Sequence, residues 1–593
     1  MKKNVIFLVL DSFMYDKIGK QSYGSSTTPF LDELKNKSIH TTNLYSQGPF
    51  TEAGITALFA GNDLLNEGGY MHNLNTKKNH YIDVFHENGY EQFNIFYPYF
   101  MYSDETLSKI DHQIFNCDFL YISVYNQRLD YYRNLNETTA LTESNYRDIF
   151  MQLDITFTSW RNFLNFSDQT KDKYLLIKKA LDNYDFEKNM AALSDEYEKY
   201  LHDKKAYVHN IFKEQREHAL FKIVTMNPGD LINETLINKL LYKDNKWFLA
   251  KVSFMQFYYN LINNKISFKC FITSLFQNIK IKRLNGYFKS VVFSLFAGHL
   301  NYKYKKNNLA NDMPSFYAQI DHSLKVIETR NHDKPFLLTL HPQDLHNMTS
   351  YLTFDTNSET ILKEEIQTLR KYFKGIKSNF KGSLIYDFSV VYVDLCIKRL
   401  FDRLFEMNLL ENTVVVITSD HGSSYVNAPI RNQFVNNYHT ENYKIPLFIY
   451  NNGFSKIINS YHTSKDVLPT IYDICGIDIP KNISGRSLLD ENNRSNFAIS
   501  EYMGGGCPDM SLRPIQFIIR DNFYLLVYSL RLNQDFSEGN IIEIFDLIND
   551  PNEEHNLMTS DFKVENVNYL LDRLKKRHSE LRKQYNINID SHI

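Results

Sequence analysis

Gly48 to Gly61, GPFTEAGITALFAG, is the stretch on which the fold turns. Gly48-Pro49 is a turn signal, and Ile55, Leu58 and Phe59 behind it recur at helical spacing. Thr51 sits where a loop that follows a strand becomes that helix. The unpaired N–H groups of a first helical turn make a ready anion site, so a hydroxyl there faces possible chemistry. A plainer reading also fits, with Thr51 as the N-cap and Gly54 at the N3 position. The neighbouring strands decide between the two.

Upstream, Val5 to Leu10 is a continuous β-favouring run that ends in Asp11-Ser12. Such a run predicts a parallel strand buried on both faces. Downstream, Pro335 to Leu340 is a second run, ending in His341. Thr413 to Ile417 is a third, followed by Ser419-Asp420-His421-Gly422. Ile445 to Tyr450 is a further strand, just after His439. In open α/β sheets, ligands gather outside the carboxyl ends of the strands. Taken singly, Asp11 reads as a helix cap, and His341 and His439 as hydrogen-bonded core histidines. Taken together at strand ends, two aspartates, a histidine and a hydroxyl suit a divalent metal and a nucleophile. Asp344 and His346 offer donors for a second metal.

The α/β pattern is interrupted. Residues 1–110 carry the first part of a core, and 111–315 read as a helical insertion rich in Tyr, Phe and Lys. The core resumes over 316–490, and 491–593 turn antiparallel before a last charged helix. Within the insertion, 245–311 hold eleven basic side chains and no acidic one, interleaved with aromatics. That pattern fits either a solvated helical face or peripheral contact with an anionic membrane.

Composition narrows the class. A net charge of −3 over 593 residues gives no global attraction to nucleic acid. Five scattered cysteines without a CxxC pair suggest a reducing compartment, not a disulfide framework or a zinc knuckle. The apolar run near the N-terminus is short and ends in Asp11, so a cytoplasmic protein is expected. No stretch is apolar enough for a transmembrane helix.

With these motifs assembled, the chain resembles the sulfatase-like branch of the alkaline phosphatase superfamily. NVIFLVLDSF and ENTVVVITSDHGSS resemble its two metal strands, and TTNLYSQGPFTEAGITALFAG its nucleophile segment. KPFLLTLHPQDLHN resembles the strand with a substrate-binding histidine. KDVLPTIYDICGIDIP, SGRSLL and EIFDLINDPNEEHNL resemble its late signatures. The resemblance implies a doubly wound sulfatase-like sheet with a large helical insertion and a small C-terminal α+β subdomain. It implies one divalent metal (Mn, Mg, Zn or Ca) held by Asp11, Thr51, Asp420 and His421. His341 and His439 would contact the transferred group.

One departure changes the expected chemistry. Sulfatases carry Cys or Ser at the nucleophile, followed by x-Pro-x-Arg, for conversion to formylglycine. This chain has Thr51, Ala53 and Ile55 there. That pattern resembles lipoteichoic acid synthases and phosphoethanolamine transferases, which use a threonine and one metal. The expected function is thus a phosphotransferase or phosphodiesterase in cell-surface polysaccharide or lipid metabolism. Its donor would be a phospho-alcohol or phospholipid and its acceptor a glycan. The alternatives are a sulfuric or phosphate ester hydrolase of the same fold, and an inactive binding protein that kept the fold.

Overall fold

Every residue of Asn4–Leu10 (β1) is buried, as the apolar run Val5–Leu10 requires of a strand covered on both faces. The computed structural model describes residues 2–19, 26–67, 77–95, 104–113, 185–223, 316–346, 384–423, 438–502, 515–530, 539–559 and 562–584, with isolated positions between 69 and 164. The basic stretch 245–311, with its expected membrane contact, lies outside the described residues.

β1 lies within an eight-stranded sheet. The other strands are β2 (Ser38–Thr41), β3 (Glu91–Ile95), β4 (His112–Gln113), β5 (Phe336–Leu340), β6 (Thr413–Ser419), β7 (Leu447–Tyr450) and β8 (Lys456–Ile458). Their spatial order is β8-β2-β7-β6-β1-β5-β3-β4. β1 pairs in parallel with β5 on one side, Val5 opposite Leu337, and with β6 on the other, Asn4 opposite Thr413. The three strands therefore deliver Asp11, His341 and Asp420 to one edge. This is the convergence expected from the strand ends.

The sheet is mixed, because β7 runs antiparallel to both β6 and β2. The cause is local. Just after β6, Gly422 N–H donates to Asn442 O and Ser423 N–H to Glu441 O, which holds the turn before β7 at the same edge. A strand that starts at that edge can only run back across the sheet.

Helices cover both faces. They include α1 (Pro29–Leu34), α2 (Thr51–Ala60), α3 (Tyr81–Glu87), α4 (Phe186–His202), α5 (Lys204–Glu214), α6 (Phe316–Glu328), α7 (Leu384–Glu406), α8 (Val467–Cys475) and α9 (Asn568–Gln584). Within residues 185–223, Asp185 and Asp203 cap α4 and α5, which bury Tyr200 and Tyr207.

The C-terminal part is a four-stranded antiparallel sheet of β9 (Ala498–Tyr502), β10 (Ile515–Arg520), β11 (Tyr524–Leu530) and β12 (Gly539–Asp546). Asp521, Asn522 and Phe523 form the turn between β10 and β11. Helix α2 joins the two sheets. Its Ile55, Leu58 and Phe59 enter the main core, and its Ala53 and Ala57 pack with Phe517, Ile519 and Leu526. A helix apolar on nearly all sides is one buried on nearly all sides. Only Thr51 and Glu52, its first two residues, are less than fully buried. Among the described residues, Cys396 and Cys475 are buried, and no helix is long and apolar enough to cross a membrane.

Candidate active site

The loop after β1 is held from several directions. Ser12 adopts φ +66°, a left-handed conformation that costs a non-glycine residue roughly 1–3 kcal/mol. Tyr386 of α7 offsets this by accepting Met14 N–H at 3.0 Å and donating its own hydroxyl to Ser12 O at 2.6 Å. Beside it, Lys17 and Asp387 form a fully buried ion pair at 2.8 Å. Thus fixed, Ser12 donates its N–H to Asp420 Oδ1 at 3.0 Å and its hydroxyl to Asp11 Oδ1 at 2.7 Å.

Ligand atoms of Asp11, His341 and Asp420 all lie within 4.8 Å of one another, and all three residues are buried. His341 Nε2 is 3.8 Å from Asp11 Oδ2 and 3.6 Å from Asp420 Oδ2. His421 Nε2 stands 3.6 Å from Asp11 Oδ1 and 3.5 Å from Asp420 Oδ2. These separations are too long for good hydrogen bonds. They suit donors that share a cation, since two ligands about 2.1 Å from one ion lie about 3.4 Å apart.

Asp420 divides its two oxygens between fold and site. Its Oδ1 accepts the N–H groups of Ser12 and His421, whereas its Oδ2 is buried without a hydrogen bond. Burial alone would push this carboxyl up. The charges of His421 and His341 and the Ser12 N–H instead hold it well below the usual carboxylate range. His421 is oriented by its other nitrogen, which donates to Gly422 O at 2.6 Å. Its Nε2 is thereby left facing the two carboxylates. An ionised, unsatisfied carboxylate oxygen facing oriented imidazoles fits a divalent cation.

Thr51 belongs to this cluster and is not a cap. Phe50 occupies the N-cap position in an extended conformation, and Thr51 is the first residue of α2. Its Oγ1 lies 3.4 Å from His421 Nε2 and 3.5 Å from Asp11 Oδ2. Gly54 makes this approach possible. A Cβ there would fall 2.1 Å from Asp420 O, so the helix meets the metal strand backbone to backbone. Gly54→Ala should push α2 off β6. Since a displacement of about 1 Å at a reacting group costs on the order of 100-fold, kcat should fall at least that far while circular dichroism shows a folded chain. Wild-type kcat in that variant would show that the contact does not position Thr51.

The structure brings together Asp11, Thr51, His341, Asp420 and His421. The resemblance divides them into metal ligands and a group-binding His341, but here both imidazoles meet the same two carboxylates. His439 lies on the turn that is clamped to Gly422 and Ser423, with Nδ1 2.9 Å from Glu553 Oε2. Asp344 serves the fold by accepting Phe316 N–H at the start of α6. Among the described residues, the one cluster of acidic, His or Cys donors with metal spacing is that of Asp11, His341 and Asp420.

The sulfatase family profile matches residues 3–212 and 253–477, well over half of the chain. The chain belongs to the sulfatase family. It is 27% identical over 257 residues to arylsulfatase K of Canis lupus familiaris, covering 40% of this chain and 41% of that protein. To an arylsulfatase of Clostridium perfringens it is 28% identical over 208 residues, 34% of this chain and 40% of the relative. The chain thus spans about two-fifths of the length of these curated relatives. The solved structure of a phosphonate monoester hydrolase of Agrobacterium radiobacter aligns over 98% of this chain and 96% of its own, at 12% identity and a TM-score of 0.43. In this sulfatase-family chain, the Asp11–His341–Asp420 cluster is where the divalent metal usual in the family would sit.

Proposed function

We propose that this chain is a metal-dependent ester hydrolase or transferase whose nucleophile is Thr51, with phosphorus esters preferred over sulfate esters. The observation that carries the reading is the Thr51 hydroxyl within 3.5 Å of both Asp11 and His421, at the opening turn of a buried helix. A divalent cation held by the two aspartates and the imidazoles would lower the pKa of that hydroxyl and neutralise an ester oxygen. The remaining roles belong to the chain. The first N–H groups of α2 face the incoming anion. Thr51 Oγ1 attacks phosphorus in line, forming a phosphothreonine as the bond to the alcohol breaks. His439 protonates the departing alcohol. Water or an acceptor hydroxyl then releases the group and restores Thr51.

The preference for phosphorus follows from the nucleophile. A formylglycine hydrate expels sulfate by collapsing to an aldehyde, and a threonine ester has no such route. The threonine pattern instead supports transfer of a phospho-alcohol group to a glycan acceptor, as the resemblance to threonine-dependent transferases implies. The second reading is sulfate ester hydrolysis. The names of the arylsulfatase relatives favour it, and the family match fits it at least as well.

A side-by-side assay separates the readings. Phosphodiester, phosphomonoester and sulfate esters of one phenol should be turned over with kcat/KM highest for a phosphorus ester. Faster sulfate release would reverse the ranking. Phosphorylated product on added polyol, in place of free phosphate, would identify the transferase.

A further inference from the structure

The C-terminal part sends one residue back to the turn that is bonded to Gly422 and Ser423. Glu553, in the DPNEE turn after β12, is 4% exposed. Its Oε2 meets His439 Nδ1 at 2.9 Å and Thr440 N–H at 2.9 Å, and its Oε1 lies 3.2 Å from the same N–H. Burial would raise this carboxyl. The bonds from His439 and Thr440 and the nearby Arg520 guanidinium hold it lowered and charged.

Two features exceed what a helix cap needs. The turn it caps, Thr440–Tyr443, is four residues long, and one hydrogen bond to Thr440 would suffice. Glu553 also adopts φ +56°, a strained conformation for a residue with a long side chain. Strain retained at a buried acid that grips a half-buried imidazole points to work done through that imidazole.

We propose that Glu553 is a positioning residue for His439, through which the C-terminal subdomain completes the acid side of the site. This rests on the reading that His439 serves the leaving group. A carboxylate can only accept, so it fixes the proton on Nδ1 and leaves Nε2 as the working nitrogen. It also stabilises the imidazolium before transfer. In the step served, the Thr51 oxygen–phosphorus bond forms and the bond from phosphorus to the leaving oxygen breaks. The Nε2 proton goes to that oxygen, and the Thr51 proton is lost to water.

The test uses two phosphodiesters that differ only in the leaving group, a nitrophenolate that needs no proton and an alkoxide that does. His439→Ala sets the reference and should slow the alkoxide ester selectively. Glu553→Gln keeps an acceptor of the same shape but loses the charge. Outer-shell partners of this kind are worth about 10–100-fold, so the alkoxide ester should slow by that factor and the nitrophenolate ester by less than about 3-fold. Glu553→Asp, which keeps the charge but shortens the reach, should fall between wild type and Gln. Equal losses on both esters in Glu553→Gln and Glu553→Asp, or no loss in either, would overturn the positioning role while a selective His439→Ala leaves the reading of His439 intact. An unselective His439→Ala would overturn that reading itself, and Glu553 with it.

Discussion

Thr51→Ala should abolish turnover and leave the fold untouched. The loss is large because, in the proposed mechanism, the hydroxyl is the atom that bonds to the substrate. Removing a nucleophile from a site whose parts act together costs on the order of 10⁴ to 10⁶ in kcat. The stability cost is small, because Thr51 is half-buried, makes no capping bond and sits at the first position of a helix, where alanine is well tolerated. Substitutions of that kind stay within about 0.5 kcal/mol. The melting temperature should therefore match wild type while phosphodiester and aryl sulfate turnover both vanish. Thr51→Ser keeps a hydroxyl at the same place and should retain activity. Mass spectrometry of wild type quenched during turnover should show a phosphoryl adduct on the peptide containing Thr51, absent from the alanine variant. Near-normal rates in Thr51→Ala would remove it from the mechanism, and the metal cluster would then have to activate water directly.

The parts of this site that are legible in the sequence are those set by strand ends. β1, β5 and β6 read as continuous β-favouring runs because both faces of each are covered, and each is followed by a polar residue. Parallel pairing with β1 then brings the closing residues to one edge without any tertiary detail. What local pattern does not reveal is how the edge is finished. Thr51 satisfies the rules for an N-cap, yet Phe50 takes that position, and Gly54 sets α2 directly against the Asp420 carbonyl. The reversed direction of β7 depends on hydrogen bonds from Gly422 and Ser423 to a turn nearly twenty residues on. His341 reads as a residue that binds the transferred group, and its nearness to both carboxylates appears only once β5 is placed beside β1. Glu553 is the least legible, since its partner His439 is 114 residues away in the chain. The signal was a buried-type acid in a tight Asp-Pro turn, which composition alone cannot tell from a solvated loop.

Asp420→Asn should strip the metal while preserving the scaffold, because the two oxygens of this carboxylate have separate tasks. Oδ1 accepts the backbone N–H groups of Ser12 and His421, and an asparagine carbonyl can accept both. Oδ2 is the buried atom between His341 and His421 that has no hydrogen bond, and in asparagine an NH₂ group replaces it. An NH₂ cannot ligate a cation and brings no charge to balance one. Loss of an outer-shell partner costs roughly 10–100-fold in metal affinity, so loss of this inner carboxylate should exceed about 100-fold. The variant purified beside wild type should carry substoichiometric Mn, Zn, Mg or Ca by elemental analysis, and calorimetric titration should give the weaker affinity directly. Turnover should fall with occupancy and recover in part at high metal concentration, a rescue that Thr51→Ala cannot show. The pattern separates the two roles: one variant lacks the nucleophile and the other the charge that activates it. Stoichiometric, tightly bound metal in Asp420→Asn would place the cation outside the Asp11–His341–Asp420 cluster and would detach Thr51 from it.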